Sequence, residues 1–343
     1  MSNKKILVTG GLGFIGSHTS GALIKAGFEV VIIDDLSNSQ LFILDNIKKI
    51  SGVKPAFYKI DMKELDKLAD FFNTEKNIDA VIHFAASKAV GESMEKPLKY
   101  FKNNIFSLVN LLDAMELHKI RNIVFSSSAT VYGDPEELPA TENTAFKPAL
   151  SAYGSTKQMG EDILQKVAAT GKIDAIALRY FNPVGADSSA LLGELPIGTP
   201  NNLMPFVTQV AAGIREKLTV YGNDYDTPDG TCVRDYIHVT DLAAAHVKSC
   251  ERLLNSKVEN NYEAFNIGTG NGISVLEIIE AFEKYNNVKL NYFIGERRPG
   301  DAPSIYADAS LAAKVLGWKA ALGLREMVTS AWAWQKKIPE LTS

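Results

Sequence analysis

The sequence has few cysteines, no excess of positive charge and no long apolar run near its start. Its two cysteines, Cys232 and Cys250, are too few for a disulfide scaffold, which favours a reducing compartment. The net charge of -4 excludes the broad basic surface typical of proteins that bind nucleic acid. The N-terminal MSNKKILVTGG holds only a short apolar run. It predicts neither a signal peptide nor a membrane span, so we expect a cytoplasmic protein.

Metal-ligand spacings and internal repeats are missing as well. The 5 histidines are scattered along the chain without the short spacings of metal ligands, so the sequence predicts no metal site. It contains no repeat, no low-complexity run and no Gly/Ser linker. What remains is an ordinary soluble composition, with 46% hydrophobic and 22% charged residues. The length of 343 residues is more than one core usually serves and suggests two lobes.

Short apolar runs alternate with amphipathic stretches in the first half of the chain. The runs are rich in Val, Ile and Phe, as in strands buried on both faces, and predict strands at 5–10, 29–34, 56–61, 80–86, 122–128 and 174–182. The stretches between them predict helices near 14–26, 39–50, 63–75, 97–118 and 151–170. This alternation predicts an α/β fold with a Rossmann-type, doubly wound parallel sheet.

The second half of the chain predicts a smaller α/β lobe interleaved with the first. Segment 183–235 is rich in Pro, Gly and Asn, as ligand-facing loops are. A helix at 238–254 and a strand at 263–268 are expected to return to the main sheet, and two helical segments are expected after residue 272. We expect a dinucleotide-binding domain of 1–182 plus about 236–270. A substrate lobe would consist of about 183–235 plus 271–343.

A glycine-rich turn follows the first predicted strand and opens the first predicted helix. Gly10, Gly13 and Gly16 have the spacing G-x-x-G-x-x-G, which allows a tight turn and brings the backbone close to a pyrophosphate. The second strand ends in Asp34, followed by Asp35. A carboxylate there accepts hydrogen bonds from ribose hydroxyls and repels a 2′-phosphate, so the pattern predicts NAD rather than NADP.

The segment SAYGSTK places a phenol and an ammonium on one helical face. Tyr153 and Lys157 lie one turn apart behind a helix start at Ser151. The serine-rich end of a strand, with Ser128 and then Thr130, should meet them at the carboxyl edge of the sheet. Tyr153 could then take a proton from a substrate hydroxyl, since a nearby cation favours the phenolate. Ser128 would hydrogen-bond the same oxygen, although both hydroxyls could instead cap the following turn.

These residues carry a resemblance to a known family. The glycine loop, Ser128 and the pair Tyr153 and Lys157 resemble the extended short-chain dehydrogenase/reductase superfamily. Longer strings are similar to the UDP-glucose 4-epimerase family over essentially the whole chain: HFAASKAVGES (83–93), SSSATVYGD (126–134), RYFNPVGA (179–186), PNNLMP (200–205), GNDYDTPDGTCVRDYIHVTDLA (222–243) and RRPGDAPSIYAD (297–308). The resemblance implies reversible epimerisation at C4 of a UDP-hexose through a 4-keto intermediate, with retained NAD and a homodimer built on helices 97–118 and 151–170.

The family pattern also implies roles for residues in this sequence. It implies catalytic roles for Ser128, Tyr153 and Lys157. It implies NAD contacts, besides those three and the glycines, for Phe14, Ile15, Asp34, Asp35, Leu36, Ser37, Asn38, Ser39, Asp61, Met62, Phe84, Ala85, Ala86, Ser87, Lys88, Asn103 and Phe181. It implies UDP-sugar contacts for Lys88, Ser128, Thr130, Tyr153, Asn182, Asn202, Leu203, Thr219, Tyr221, Arg234, Arg298, Asp301 and Ile305. The two arginines suit a diphosphate because a guanidinium can fork onto its oxygens. Asp61 is interpreted as an adenine contact or as a cap of the following turn.

Other activities remain open on the same residues. A 4,6-dehydratase of nucleotide sugars needs an Asp-Glu pair after its active-site serine or threonine, and Ala129 and Thr130 stand there. An epimerase or decarboxylase of UDP-uronic acids would need further donors for the substrate carboxylate. A non-catalytic NAD-binding redox regulator is the alternative of another class, although such proteins often lack the Tyr or the Lys.

Ile305 is the position that bears on substrate choice. In the family this site lies beside the sugar 2-position, and members strict for glucose and galactose often carry Tyr there. Isoleucine is smaller than tyrosine. The sequence therefore predicts UDP-glucose and UDP-galactose as the main pair, with some activity on UDP-GlcNAc and UDP-GalNAc.

Overall fold

The computed structural model describes residues 4–298 and 301–342. Pro299 and Gly300, within one of the strings quoted above, lie outside the described residues. The helices are α1 Phe14–Lys25, α2 Phe42–Ser51, α3 Leu65–Thr74, α4 Val90–Glu95, α5 Pro97–Tyr100, α6 Phe106–Leu117, α7 Ala152–Ala169, α8 Leu203–Ala211, α9 Val239–Leu254, α10 Val275–Asn286, α11 Ser310–Leu316 and α12 Leu324–Thr342. The strands are β1 Lys5–Thr9, β2 Glu29–Asp34, β3 Ala56–Lys59, β4 Ile78–His83, β5 Asn122–Ser128, β6 Asp174–Tyr180, β7 Asn182–Val184, β8 Leu218–Tyr221, β9 Val233–His238, β10 Tyr262–Ile267, β11 Gly272–Ser274, β12 Tyr292–Gly295 and β13 Ser304–Ile305.

A seven-stranded sheet in the order β10-β6-β5-β4-β1-β2-β3 forms the centre of the molecule. All of its strand pairs are parallel, for example Ile6 with Val30 and Ala80 with Asn122. The strand order reverses between β1 and β4, the topological switch point at which doubly wound sheets bind dinucleotides. The predicted Rossmann-type parallel sheet is therefore confirmed, and so are its six predicted strands and the returning strand near 263–268.

Both faces of this sheet are covered, which explains the continuous apolar runs of its strands. Along β1, Ile6 and Val8 pack into the core that includes α1 and α9. Leu7 between them packs into the core that includes α3, α6 and α7. Because neighbouring side chains of a strand point to opposite faces, a doubly covered strand must be apolar at every position.

Two smaller sheets lie beyond the main one. In the first, β9 pairs with β7 and β13 in parallel and with β11 antiparallel, and in the second β8 pairs with β12. Their core is formed mainly by α8, α10, α12 and β8. Three helices follow residue 272 in the described chain, not the two predicted. The unpredicted α11 has only 7 residues, too few for an apolar periodicity to be recognised, and its apolar side chains pack on the main core.

The predicted helix at 97–118 is interrupted, which is the clearest departure from the expected helices. Pro97 starts the short α5, and a π turn over Phe101–Ile105 separates it from α6. A π turn inserts one residue into the helix and is frequently found at functional sites. Here the turn contains Asn103 and Asn104, whose side chains both bond Ser87.

None of the helices in the described part of the chain is both long and apolar enough to span a membrane. Cys232 and Cys250 are both buried free thiols.

Candidate active site

The carboxyl edge of the main sheet collects the predicted functional loops in spatial order. From β6 towards β3, the strands are followed by Phe181, by the end of β5 at Ser128, by Phe84, by Gly10, by Asp34 and by Asp61. Strand adjacency thus brings together segments that are far apart in the sequence. The expected catalytic serine lies on the strand next but one to the glycine loop.

The glycine loop between β1 and α1 is folded too tightly for side chains. Gly10 has φ +68° and donates its N–H to the Ile33 carbonyl at 2.7 Å. A Cβ at Gly10 would lie 2.8 Å from Ala85 N, and one at Gly16 would lie 2.2 Å from the Gly10 carbonyl oxygen. The first turn of α1 supplies N–H groups that have no partner within the helix. A glycine cradle at a helix N-terminus fits a pyrophosphate, so this part of the chain fits a dinucleotide.

Asp34 is buried and ties this loop to the end of β2. Its Oδ2 accepts from Leu12 N at 3.0 Å, and its Oδ1 accepts from Leu36 N and Ser39 Oγ at 2.9 and 2.7 Å. Burial raises the pKa of Asp34, while the hydrogen bond from Ser39 opposes that shift. A carboxylate has room for about four hydrogen bonds, so an acceptor position remains for a ribose hydroxyl.

Asp35 and Asp61 shape the neighbouring turns. Asp35 Oδ1 accepts from the N–H and hydroxyl of Ser37 at 2.8 and 2.6 Å. Asp61 accepts from Lys63 N at 3.0 Å and pairs with the Lys63 ammonium at 2.8 Å, and that ammonium also donates to Asn103 Oδ1. Asp61 therefore caps its turn. Asn38, in the loop after β2, is exposed. Together with Phe14, Gly193 and Leu195 it lines a small cavity of about 20 Å³.

Ser128, Tyr153 and Lys157 come together as the sequence predicts. Ser151 caps α7 by accepting from Gly154 N at 3.1 Å, which fixes the start of the helix just before Tyr153. The Lys157 ammonium is 5.7 Å from the centre of the Tyr153 ring and donates to the Ser126 carbonyl at 2.5 Å. Ser128, at the end of the same strand, is the polar side chain that lowers the pKa of Tyr153.

The electrostatics of this cluster differ from the expectation for Tyr153. Burial raises the pKa of Tyr153 to about 12, and the Ser128 hydrogen bond lowers it only in part. Burial also lowers the pKa of Lys157 to about 7, against the pull of the Glu161 carboxylate. Lys157 is 3% exposed, so desolvation penalises its charge strongly. The side chains alone therefore do not produce a phenolate at neutral pH.

Asn104 connects two segments of the site, and sequence reasoning missed it. Its side chain accepts from Ser87 N at 2.8 Å and donates to the Ser87 carbonyl and to Thr156 Oγ1, both at 3.0 Å. It thereby joins the loop after β4 to α7, next to Tyr153 and Lys157. No local sequence pattern indicates this role of Asn104, because an asparagine inside a predicted helix is usually solvent-exposed.

Glu194 was also missed, and it joins two predicted binding segments. Its carboxylate accepts from the Lys88 ammonium at 2.8 Å and from Asn202 Nδ2 at 2.7 Å. Lys88 follows β4 and Asn202 directly precedes α8, so the contact links the two lobes across the site. Trp334 Nε1 holds the Glu194 carbonyl at 2.9 Å. A single loop carboxylate gives no recognisable sequence signal.

Two arginines gather around Asp301 in the second lobe. Arg298 donates to both Asp301 oxygens at 3.0 and 2.8 Å, and Arg234 lies 3.8 Å from Asp301. The Arg298 guanidinium also lies 5.5 Å from the Tyr221 ring. The pairing leaves part of each guanidinium for another anion. This group can therefore bind a diphosphate beside an aromatic ring.

Ile305 lies between this group and the end of the main sheet. It pairs with Arg234 across β13 and β9 and packs against the cluster that contains Ala129 and Phe181. Asn182 begins β7, which pairs with β9, and Thr130 lies in the short turn after Ser128 with a buried hydroxyl. Ile305 thus packs against the turn that directly follows Ser128.

Three of the predicted ligand contacts, Met62, Leu203 and Thr219, lie in the cores or on a strand of the second lobe. Met62 is 3% exposed within the main core, so its side chain serves packing. Leu203 begins α8 and packs on the second core, and Thr219 lies on β8 opposite Phe293. A cavity of about 640 Å³ lies elsewhere, between the 268–273 and 318–324 segments, and none of the predicted residues lines it.

Comparison with known proteins identifies the family to which this chain belongs. A family model described as GDP-mannose 4,6 dehydratase matches residues 7–331. The UDP-glucose 4-epimerase of Bacillus subtilis (strain 168) is 50% identical over 331 residues, covering 96% of each protein. The chain belongs to the UDP-glucose 4-epimerase family.

Solved structures of this family extend the comparison to the fold. UDP-glucose-4-epimerase from Stenotrophomonas maltophila, with bound NAD and formylated UDP-arabinopyranose, has a TM-score of 0.94 and 46% identity, covering 98% of this chain and 99% of that one. UDP-glucose 4-epimerase from Bifidobacterium longum, in complex with NAD+ and UDP, matches with the same TM-score, identity and coverage. The family resemblance and the fold predicted from the sequence are thus confirmed.

Proposed function

We propose that the protein is an NAD-dependent epimerase that interconverts UDP-glucose and UDP-galactose at C4. The observation that carries this proposal is the cluster of Ser128, Tyr153 and Lys157 at the carboxyl edge, between a glycine cradle and an arginine-rich second lobe. Relatives bind NAD with a UDP-sugar or UDP, which supports the same ligands here. The dehydratase reaction is disfavoured because Ala129 and Thr130 follow Ser128 in place of an acid and a base.

In this mechanism Tyr153 is the general base and acid. It takes the proton of the sugar 4-hydroxyl and later returns a proton to the same oxygen, after the ring has turned its opposite face towards the cofactor. Ser128 hydrogen-bonds the same oxygen, and Lys157 holds a ribose and contributes positive charge beside the phenol. When bound, NAD supplies a reversible hydride acceptor and a positive charge that favours the Tyr153 phenolate.

The second lobe keeps the sugar in the site while its orientation changes. Arg234 and Arg298 hold the diphosphate, and Asn202 with Asn182 hold the remainder of the nucleotide. Because these contacts lie away from the reacting ring, the 4-keto sugar can turn without leaving. Firm nucleotide binding combined with a mobile sugar is what inversion at one carbon requires.

The proposal is tested by incubating the purified protein with UDP-galactose and no added NAD. We expect conversion to UDP-glucose, followed by NMR of the sugar protons, because the retained cofactor returns the hydride to the same carbon. Absence of conversion even with added NAD would contradict simple 4-epimerisation. It would favour a UDP-uronic acid substrate or a non-catalytic NAD-binding regulator.

Ile305→Tyr should make the enzyme more selective for UDP-galactose over UDP-GalNAc. The larger ring would fill the space between Arg234 and Phe181, so kcat/KM for UDP-GalNAc relative to UDP-galactose is expected to fall by about tenfold or more. Ile294 on β12 is 43% exposed, so Ile294→Tyr is the matched control. It should leave the ratio of the two kcat/KM values unchanged. An unchanged ratio in the Ile305 variant would remove the size argument.

We infer that the protein acts as a cytoplasmic homodimer through α5, α6 and α7. Support comes from apolar side chains exposed on these helices, among them Leu98 at 70%, Phe106 at 54% and Met159 at 49%. The buried free thiols fit a reducing compartment. The sequence predicts lobes of 1–182 with about 236–270, and of about 183–235 with 271–343. Because β9 belongs to a smaller sheet and α11 packs on the main core, we propose to move the boundary from 236 to the start of α9 and to count α11 with the first lobe.

A further inference from the structure

A buried ion pair lies one helical turn beyond Lys157, and no step of the reaction described above uses it. Glu161 on α7 is fully buried, and Arg179 on β6 is 4% exposed. Arg179 Nε donates to Glu161 Oε1 at 2.9 Å, and its NH2 donates to Oε2 at 2.6 Å. Burying such a pair carries a desolvation cost that often cancels its gain in stability. Stability alone is therefore a poor reason for this pair to lie beside the catalytic lysine.

The Glu161 carboxylate connects α7 to three strands of the main sheet. Besides Arg179, it accepts hydrogen bonds from Ser127 Oγ on β5 and from Tyr262 OH on β10, the latter at 2.9 Å. Ser127 stands between Ser126, whose carbonyl accepts from Lys157, and Ser128, whose hydroxyl lowers the pKa of Tyr153. The carboxylate is thus anchored to the strand segment that aligns both catalytic side chains.

We propose that Glu161, held in place by Arg179, is a positioning residue that keeps the Lys157 ammonium charged and fixes α7 against the end of β5. This inference rests on the proposed function, since it assumes that Lys157 acts as a cation in epimerisation. Glu161 would thus act on the reaction through Lys157, without contacting the substrate.

The surroundings of Lys157 single out this carboxylate. Burial lowers the pKa of Lys157 to about 7, and Glu161 raises it. Burial lowers the pKa of His83 on β4 to about 3, so this neighbour stays neutral. The other groups that face the Lys157–Tyr153 pair are neutral, namely the phenols of Tyr100 and Tyr180 and the ring of Phe125. The Arg179 cation lies behind Glu161.

Glu161→Gln is expected to move the alkaline limb of the kcat–pH profile towards lower pH by roughly one unit. The sign follows because Glu161 raises the pKa of Lys157, so removing its charge lets Lys157 lose its proton at lower pH. Above the limb, kcat should fall about tenfold while KM for UDP-galactose stays within about twofold, because Glu161 does not touch the substrate. A purely structural role would instead lower kcat equally at every pH.

A matched control exists on β10. Glu263 forms a similar two-point pair with Arg252, with both distances 2.6 Å, and its side chain is 13% exposed. Glu263→Gln makes the same chemical change at a distance from Lys157. It should leave the alkaline limb in place, and an equal shift in this control would overturn the proposal.

A direct titration of Lys157 separates this inference from the proposed function. In protein labelled with ¹³C at the lysine ε-carbons, the Lys157 signal is identified by its loss in Lys157→Met. Its pKa is expected to be lower in Glu161→Gln than in the unmodified protein, whether or not either form turns over UDP-galactose. Equal titration in both forms would overturn the role of Glu161, while an inactive unmodified protein would contradict only the epimerase function.

The buried Arg179 charge could prevent Glu161→Gln from folding. The double variant Glu161→Gln with Arg179→Gln removes both charges and lets the two amides hydrogen-bond. It should fold and show the same downward shift, because Glu161 is the partner that lies one turn from Lys157. If this neutral pair fails to fold, the role is structural and the proposal is wrong.

Discussion

Tyr153→Phe is expected to lower kcat for UDP-galactose epimerisation by about 10³-fold or more while leaving the fold intact. The phenylalanine keeps the ring but cannot exchange a proton with the sugar hydroxyl. Lys157 and Ser128 stay in place, because their main contacts run to the Ser126 carbonyl and to Thr130 N. Single-turnover and steady-state rates should fall together, with little change in KM, since the lost interaction acts in the transition state.

A tyrosine remote from the site provides the control. Tyr58 on β3 donates its hydroxyl to Glu75 at 2.6 Å, so Tyr58→Phe also removes one phenolic hydrogen bond. Its activity should stay within about twofold of the unmodified protein. Thermal unfolding of both variants checks that neither has lost its structure. Full activity in Tyr153→Phe would exclude Tyr153 as the proton-transfer group.

Gly16→Ala is expected to abolish retention of NAD and to destabilise the protein. The new methyl group would lie 2.2 Å from the Gly10 carbonyl oxygen and 2.9 Å from Gly11 Cα. Both obstacles are backbone atoms, so the loop or α1 must move, at a cost of about 1–3 kcal/mol or more. Because the loop also approaches Ala85, the displacement distorts the expected pyrophosphate cradle. Nucleotide released by acid from the purified protein, together with thermal unfolding, measures both effects.

Gly21→Ala in the same helix is the matched control. Nothing lies within 4 Å of a Cβ at Gly21, and its position inside α1 favours alanine. This variant should bind NAD normally and be more stable by about 0.5–1 kcal/mol. Equal NAD content in the two variants would mean that the tight loop is not the dinucleotide site.

The main sheet and its edge could be predicted from the sequence because they depend on local signals. The apolar runs of the strands, the glycine spacing before α1 and the cap at Ser151 are each contained within a few residues. Parallel strands bring their carboxyl ends to one edge, so the proximity of Ser128 to Tyr153 followed from topology alone. The broken helix at 101–105 was missed because a π turn has no distinctive composition.

The residues that only the tertiary structure identified are all partners across long separations in the chain. Glu194 joins Lys88 to Asn202, Asn104 joins Ser87 to Thr156, and Glu161 meets Arg179. Each is a polar residue, and its neighbours in the sequence do not predict which group it contacts. By itself the sequence predicts which groups carry the chemistry, since the spacing of Tyr153 and Lys157 and of the glycines is local. Only the packing of helices against the sheet decided which polar groups hold them in place, because such contacts depend on where distant segments meet.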